Sequence, residues 1–215
     1  MTAADDRVEV QRHADRGTYD RGIIYDILDE ALYCTVGFVH EGRPMVIPMI
    51  HVRVGERIVL HGSPASRMLR TLKEGAEAAV AVTLLDGLVL ARSVFNHSMN
   101  YRSVVIVGKA APIDDPAEKL EAMRVFTEKI LPGRWDDARQ PSNREFNGTL
   151  MLGIPIEAAS AKIRSGPPSD DEEDLDLEVW AGVIPFLTEP GAPIPAPGLD
   201  SAIEYPDYLQ ERYPG

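Results

Sequence analysis

Residues 45–68 read MVIPMIHVRVGERIVLHGSPASRM and contain the pattern that decides the fold. Apolar residues dominate Met45–Val52 and Ile58–His61, and the letters RVGER between them are typical of a hairpin turn, so two antiparallel strands are predicted. The letters GSP then break the second strand. Ala65–Glu74 has the composition of a helix, with Ser63 as its predicted N-cap. A hairpin that leads through a tight turn into a helix is therefore the unit from which the rest of the fold is predicted.

The flanking sequence continues this succession of short strands and helices. Gly22–Leu32 has helical apolar spacing behind Asp20 as N-cap, and Tyr33–Val39 is rich in β-forming residues. Because hairpin turns join most of the strands, we predict a mainly β fold, an antiparallel barrel or meander with helices packed outside, rather than a doubly wound parallel sheet. The remaining predicted elements are strands at Ala76–Leu85, Leu88–Phe95 (after an Asp86–Gly87 turn), Tyr101–Pro112, Thr149–Ile156 and Ala158–Arg164, and helices at Pro116–Leu131 and from Ser142.

Length, charge and cysteine content restrict the class of protein. A chain of 215 residues is long enough for one domain, or one domain with a tail. The net charge is −12, whereas binding to a nucleic-acid backbone requires a basic face, so no nucleic-acid partner is expected. The polar start and the absence of a long apolar run predict a cytoplasmic protein without a membrane partner. The single cysteine, Cys34, fits a reducing compartment.

The C-terminal quarter differs in composition from the rest. Ser169–Glu178 (SDDEEDLDLE) holds seven carboxylates, and without them the net charge would fall from −12 to −5. Pro185–Gly215 carries seven of the 17 prolines, which cannot continue a helix or a central strand. We therefore predict an N-terminal extension (1–19), a main domain (20–164) and an acidic loop with a proline-rich arm (165–215).

The first candidate site is LHGSPASRM, Leu60–Met68. A helix N-terminus offers unpaired N–H groups to a phosphate, and Ser66 and Arg67 would add a hydroxyl donor and a bidentate cation. The alternative is that Ser63 only caps the helix and that Arg67 is a surface charge. The common nucleotide loops GxxxxGK[ST] and GxGxxG are absent.

The second candidate site is the start of the strand after NHSMN. Strand alternation places Tyr101 and Ser103 on one face and Arg102 on the other. These side chains would meet a ligand that lies across a barrel mouth. The simpler interpretation is a solvated strand entry.

The five histidines show neither HExxH nor HxH spacing, so no metal site is predicted. His51 and His61 flank one hairpin, which leaves a two-histidine site as the alternative. Cys34 lies in an apolar strand and is interpreted as a packed small hydrophobe, since no GxSxG or other nucleophile motif occurs. The acidic run lacks the DxDxDG spacing of a calcium loop and is interpreted as solvated.

The order of these pieces, with GRPMVIPM, LHGSPASRM and NYRSVVIVGKA as its motifs, resembles the flavin-nucleotide-binding proteins related to pyridoxamine 5′-phosphate oxidase. Among them it looks closest to the group that includes the nitroimidazole-resistance reductases. The resemblance covers roughly Asp20 to Ile163, and Trp180–Pro185 (WAGVIP) is also similar. It implies a split β-barrel, usually a homodimer with two flavin sites at the subunit interface.

The resemblance implies a set of FMN-binding residues. Pro48 and Met49 match the strand that runs beside the flavin ring, and His61 and Gly62 match the strand end that faces it. In the nitroimidazole-resistance group a histidine at this place lies near the ring. The other implied contacts are Ser66 and Arg67 at the phosphate, Tyr101, Arg102 and Ser103 at a strand start, and Trp180 as a cover for the ring.

The implied activity is that of an oxidoreductase that moves hydride or electrons between a reduced flavin and a small organic acceptor, with His61 as a hydrogen-bond or proton donor. Vitamin B6 oxidation is not expected, because Ser66–Arg67 replaces the Arg–Lys of the true oxidases and their RxHxR motif is absent. Two alternatives stay open. One is a deazaflavin- or haem-binding relative, the haem requiring an exposed axial histidine such as His51, His61 or His97. The other is a flavin carrier or sensor without turnover.

Overall fold

The computed structural model describes residues 5–212, which form two antiparallel sheets with six α-helices. The predicted mainly β split barrel with flanking helices is confirmed, because the two sheets share a core and are not closed into one barrel. The strands are β1 (Gly17–Thr18), β2 (Tyr33–His40), β3 (Arg43–Ile50), β4 (Val52–Val54), β5 (Arg57–Gly62), β6 (Glu77–Leu90), β7 (Ser98–Lys109), β8 (Ala111–Pro112), β9 (Leu150–Pro155), β10 (Ala158–Arg164) and β11 (Gly182–Pro185). The helices are α1 (Arg21–Glu30), α2 (Arg67–Lys73), α3 (Pro116–Ile130), α4 (Arg134–Asp137), α5 (Asn143–Asn147) and α6 (Asp207–Arg212).

The large sheet has the strand order β1-β10-β7-β6-β2-β3, with β11 added to β6, and the small sheet has the order β4-β5-β9-β8. The main core lies between the sheets and takes in α1 and α2. A second cluster joins β4, β5 and β9 to α3. The helix α3 is thereby fixed on the small sheet, which positions the cavity described below.

The start of α1 was predicted correctly. The Asp20 carboxylate accepts a hydrogen bond from the backbone N–H of Ile23 at 3.0 Å, which satisfies one of the free donors of the first turn. Ile24, Ile27 and Leu28 have helical spacing and are all buried. The helices predicted at Pro116–Leu131 and from Ser142 are confirmed as α3, which Asp115 caps, and α5.

The hairpin predicted around Asp86–Gly87 is wrong, because β6 runs without a break from Glu77 to Leu90. The strand absorbs the dipeptide as a bulge, and the register with β7 shifts between Leu85 and Gly87. The reversal comes later, in the turn at Val94–Asn96. The single long strand β7 forms backbone hydrogen bonds with both halves of β6. This pairing outweighs the local preference of Asp86–Gly87 for a turn.

Two predicted strands are each divided between the sheets. Met45–Val52 separates at His51 into β3 of the large sheet and β4 of the small sheet. Tyr101–Pro112 likewise separates at Ala110 into β7 and β8. The apolar pattern continues through both corners because the core continues there, so composition alone does not mark the change of sheet.

The start of α2 also differs from its prediction. The N-cap is Ser66 rather than Ser63, and the helix begins at Arg67. The Ser63 carbonyl accepts from the N–H of Ser66 at 2.9 Å, and its hydroxyl accepts from the N–H of Ala65 at 3.2 Å. Ser63 therefore belongs to a separate turn that precedes the helix.

Both flanks of the main domain contact the sheets. In the N-terminal extension Val8 is buried and β1 pairs with β10. In the C-terminal region β11 pairs with β6, and Asp170 accepts from the backbone N–H of Arg92 at 2.7 Å, with only 3 % of its side chain exposed. Residues 1–4 and 213–215 of these two flanks lie outside the described residues. No helix within 5–212 is long and apolar enough to cross a bilayer.

Candidate functional site

A cavity of about 640 Å³ lies between the small sheet and the helices α3 to α5. Strands β5 and β9 contribute one wall and α3 contributes the other. A volume of this size suits a small molecule or an organic cofactor. The lining is mainly apolar with four charged or titratable side chains, and it includes Met123, Phe126, Ile130, Trp135, Met151, His61, Arg134, Arg139 and Glu145.

His61 is the histidine of this cavity. It lies at the end of β5 opposite Met151 of β9, and its imidazole packs edge-on against the ring of Phe126. Neither ring nitrogen has a hydrogen-bond partner among the described residues. The surrounding protein disfavours the charged imidazolium and so lowers the pKa of His61. The site therefore presents a neutral imidazole with a free lone pair.

Two other histidines already have bonded partners elsewhere. His51 is fully buried, and its Nε2 lies 3.0 Å from the Leu28 carbonyl and 3.3 Å from Lys129 Nζ. Burial, with the nearby charge of Lys129, lowers the pKa of His51 to about 4. His97 accepts a hydrogen bond from the N–H of Ala91 at 3.2 Å through its Nδ1. Neither residue lines the cavity.

Within residues 5–212 no three His, Cys, Asp or Glu side chains are placed so that they could share a metal ion. The alternative of a site between His51 and His61 receives no support, since one ring is buried against a backbone carbonyl and the other lines the cavity. Cys34 is fully buried, and burial raises the pKa of its thiol to about 12, as expected for a packed hydrophobe.

Ser66 and Arg67, the residues predicted to bind a phosphate, lie five and six residues beyond His61 along the chain. The Ser66 hydroxyl accepts from the Leu69 N–H at 3.5 Å, and no ion pair within the described residues involves Arg67. A side chain at Gly62 would come within 3.1 Å of Leu69, so the turn into α2 leaves little room there. The guanidinium of Arg67 is thus available to an anion at the start of α2.

The residues at the start of β7 separate as predicted by strand alternation. Arg102 reaches the inner side, where its guanidinium bonds the carboxylates of both Glu30 and Asp86. Tyr101 and Ser103 occupy the opposite face and are half-buried. Arg102 therefore joins α1, the bulge of β6 and β7, while the other two side chains remain on the outer face of the large sheet.

The remaining candidates lie on other parts of the surface. Pro48 is exposed on the outer face of β3, whereas Met49 points toward the core. Trp180 is 65 % exposed just before β11, and its ring is so close to Gly182 that a Cβ there would lie 3.0 Å from it. The structure does not bring these residues into the cavity of His61.

Sequence reasoning missed the wall that α3 gives to this cavity. Met123, Phe126 and Ile130 have the i, i+3, i+7 spacing of an amphipathic face, so the signal was present in the sequence. Nothing in the sequence indicates that this face remains partly uncovered. Trp135 carries no comparable signal.

Comparison with known proteins gives a consistent family. The sequence model described as pyridoxamine 5′-phosphate oxidase matches residues 20–163. A search of curated proteins finds no match to this chain.

Solved structures extend the similarity to almost the whole chain. The flavocytochrome Anf3 from Azotobacter vinelandii is 37 % identical, with 98 % of each chain covered and a TM-score of 0.91. The FAD and heme binding protein from Mycobacterium smegmatis is 36 % identical, with 92 % of this chain and 97 % of that chain covered and a TM-score of 0.88. A putative 5-nitroimidazole antibiotic resistance protein from Bacteroides thetaiotaomicron, 23 % identical over 68 % of this chain and 86 % of its own, shares the fold at a TM-score of 0.58.

Proposed function

The chain belongs to the pyridoxamine 5′-phosphate oxidase family, and from that premise we propose that it is an oxidoreductase that binds both a flavin and a haem. Two relatives above 30 % identity that extend along nearly the whole chain carry names with these cofactors. The single observation on this chain that favours the haem is the free imidazole of His61 in a largely apolar cavity. The expected FMN-only flavoprotein is thereby widened to a two-cofactor protein.

The residues of the cavity fit a haem in three respects. A neutral imidazole is the form that binds iron, and the lowered pKa of His61 keeps it neutral at physiological pH. The apolar side chains around Phe126 and Trp135 suit the faces of a porphyrin. Arg134 lines the same cavity and suits a carboxylate group, whereas Arg139 is already paired with Glu145 of the same lining. His61 would hold the iron through its imidazole.

The flavin would lie at the residues that the family resemblance indicates. Ser66 and Arg67 would hold the phosphate next to the ribityl chain, which FMN and FAD share. Pro48, Met49, Gly62, Tyr101, Ser103 and Trp180 would contact the remainder, while the guanidinium of Arg102 already has two carboxylate partners. We favour FAD because one of the relatives carries that name, and FMN is the alternative.

A flavin can take up electrons in pairs, whereas a haem iron carries one electron at a time. Bound together, the two cofactors would let the protein convert between two-electron and one-electron transfer. The chain's own residues bind and orient them. Arg67 would neutralise phosphate charge, the contact with Phe126 would restrain the plane of the His61 ring, and the apolar side chains of α3 would help to exclude water once the cavity is filled. The substrate remains a small organic acceptor or donor of electrons.

A homodimer is the second part of the proposal. The outer face of the large sheet around β2 and β3 exposes apolar residues such as Val46, the pattern of an interface. One row across three neighbouring strand pairs carries only short side chains: Pro48, Thr35, Ala81 and Val105. Light scattering of the purified protein should give twice the mass of one chain, and a monomer would contradict the dimer.

The cofactor proposal is tested by the visible absorption spectrum and by identification of the released chromophores. We expect flavin and haem in about equal amounts. His61→Ala should lose the Soret band of haem and keep the flavin, because the flavin determinants lie on other residues. Flavin without haem in the wild-type protein, even after haem is added, would reject the two-cofactor function.

The matched control is His97→Ala. His97 is exposed, lies away from the cavity and bonds only a backbone N–H among the described residues. This variant should retain both cofactors. Loss of haem in His97→Ala but not in His61→Ala would show that His97, and not His61, binds the iron.

A further inference from the structure

The C-terminal helix α6 contacts α4 although about seventy residues separate them along the chain. The hydroxyl of Tyr208 donates to Asp137 Oδ2 at 2.6 Å and accepts from Arg134 Nη1 at 3.1 Å. Arg134 Nη1 also donates to the same Asp137 oxygen at 2.7 Å. These three side chains form a closed triangle of hydrogen bonds, which we call the α4–α6 triangle.

Gly133 makes this contact possible. Its φ is +87°, which lies in the left-handed region, and a Cβ on it would come within 3.3 Å of Cγ in the Tyr208 ring. Its N–H donates to Glu128 Oε2 at 2.8 Å. The turn between α3 and α4 is thus bonded to α3 on one side and covered by the aromatic ring of α6 on the other.

Arg134 is the member of the α4–α6 triangle that lines the cavity. Among the described side chains, which end at residue 210, only its Nη1 has a hydrogen-bond partner, so Nε and Nη2 have donors left for another group. A guanidinium with two adjacent free donors binds a carboxylate in a fork. The triangle therefore occupies one nitrogen of Arg134 and leaves the remaining donors for an anion.

The second arginine of the cavity is held differently. Arg139 bonds both carboxylate oxygens of Glu145, at 2.8 and 3.0 Å, and also the Gln140 carbonyl. All of its partners lie within six residues along the chain. Arg139 is therefore placed by its own loop, whereas Arg134 depends on a segment from the far end of the chain.

We propose that Tyr208 is a positioning residue for the cavity: it holds Arg134 at the rim so that the guanidinium binds a carboxylate group of the occupant. This inference rests on the proposed function, under which the occupant is haem and the carboxylate is a propionate. The proline-rich segment that precedes α6 then serves to bring Tyr208 to α4. Tyr208 itself has no contact with the cofactor and acts through Arg134.

The test is haem binding to the full-length, haem-depleted protein. Tyr208→Phe keeps the ring on Gly133 and removes only the hydroxyl. We expect the haem dissociation constant to rise by about 3- to 10-fold, the effect of one hydrogen bond, with flavin affinity unchanged. Gln210→Ala is the matched control, since this residue of α6 bonds only a nearby backbone carbonyl. It should bind haem as the wild type does.

A second probe separates positioning from mere support of the fold. Haem dimethyl ester lacks the propionate charges, so Tyr208→Phe and the wild-type protein should bind it equally. Equal affinity of Tyr208→Phe and wild type for haem itself, or equal loss for haem and its ester, would overturn the inference and leave the two-cofactor function intact. A wild-type protein that binds neither probe would instead reject the function on which the inference rests.

Discussion

The imidazole of His61 lies edge-on to the phenyl ring of Phe126, with ring centroids 4.3 Å apart and an interplanar angle of 72°. Such a contact is worth about 0.5–1.5 kcal/mol, and neither imidazole nitrogen has a hydrogen-bond partner among the described residues. It therefore restrains the ring plane and covers part of an imidazole that is otherwise open to the cavity, while the nitrogens stay without hydrogen-bond partners among the described residues. Histidines that bind metals are more often oriented by a hydrogen bond than by an aromatic contact. The effect of removing the Phe126 ring can therefore be predicted specifically.

Phe126→Leu should expose the imidazole of His61 to still more water. We expect the lowered pKa of His61 to move up toward its ordinary value near 6.5, because hydration restores the charged form. NMR titration of the His61 ring in the haem-free protein measures this change. Phe146→Leu is the control, since that ring contacts Lys119 instead. An unchanged His61 pKa in Phe126→Leu would show that other groups shield the ring.

His51 should make the protein sensitive to mild acid. Its pKa is about 4 in the folded state, whereas an unfolded chain binds the proton near pH 6.5. Between these values the unfolded state binds more protons, so the free energy of unfolding falls as pH falls, by up to about 3 kcal/mol. Urea unfolding at pH 7, 5.5 and 4.5 measures the slope. His51→Gln should flatten it, and equal slopes in the two proteins would contradict this origin.

Arg102 should contribute to stability through its two carboxylate partners, Glu30 and Asp86. All three side chains are partly exposed, so we expect Arg102→Gln to lose about 1 kcal/mol, and less at high salt. The pKa of Glu30 is lowered by Arg102, so this stabilisation is present above the unfolded pKa and disappears as pH falls through the folded one. Urea unfolding at two salt concentrations tests it.

The control for that measurement is Arg124→Gln, which removes an i, i+3 pair with Glu121 on one exposed helix. It links no separate elements and should cost no more than a few tenths of a kcal/mol. If both variants lowered the free energy of unfolding by the same amount, the bonds of Arg102 that connect α1, β6 and β7 would contribute no more than an ordinary ion pair on the surface of one helix.

Gly87→Ala should detach β11 from β6. A Cβ at Gly87 would lie 2.6 Å from the carbonyl oxygen of Ile184, a backbone atom that cannot move without breaking the strand pair. We expect a loss of about 1–3 kcal/mol and faster amide exchange in residues 182–185. Gly37→Ala is the control, because its Cβ would lie 3.6 Å from the nearest atom. Protection of 182–185 that survives Gly87→Ala would contradict this account.

The elements that sequence reasoning predicted well have their determinants close together along the chain. The helix behind Asp20 and the short helix behind Ser142 each depend on a cap within three residues of the group it bonds. The family motifs are local in the same sense. Such signals survive folding because tertiary contacts do not oppose them.

The errors occur where a distant partner overrides the local signal. Asp86–Gly87 has turn chemistry, but β7 pairs with both sides of it and Arg102 bonds the carboxylate. The cavity of His61 was not predicted because its walls come from β5, β9 and α3, which are far apart in the sequence and meet only in the folded chain. The role of His61 near a cofactor was predicted from resemblance, while the arginines that accompany it are brought there only by the fold.

The pairing of β11 has a consequence for how the protein can be shortened. One edge of β6 is shared by β2, at Ala78–Ala81, and β11, at Gly87–Leu90. A product ending at residue 164 would therefore keep the whole family match and yet expose a row of unsatisfied strand amides in the middle of its sheet. Such rows recruit strands from other molecules. A chain that is cut at the family boundary should therefore pair with other copies through this edge of β6 and precipitate.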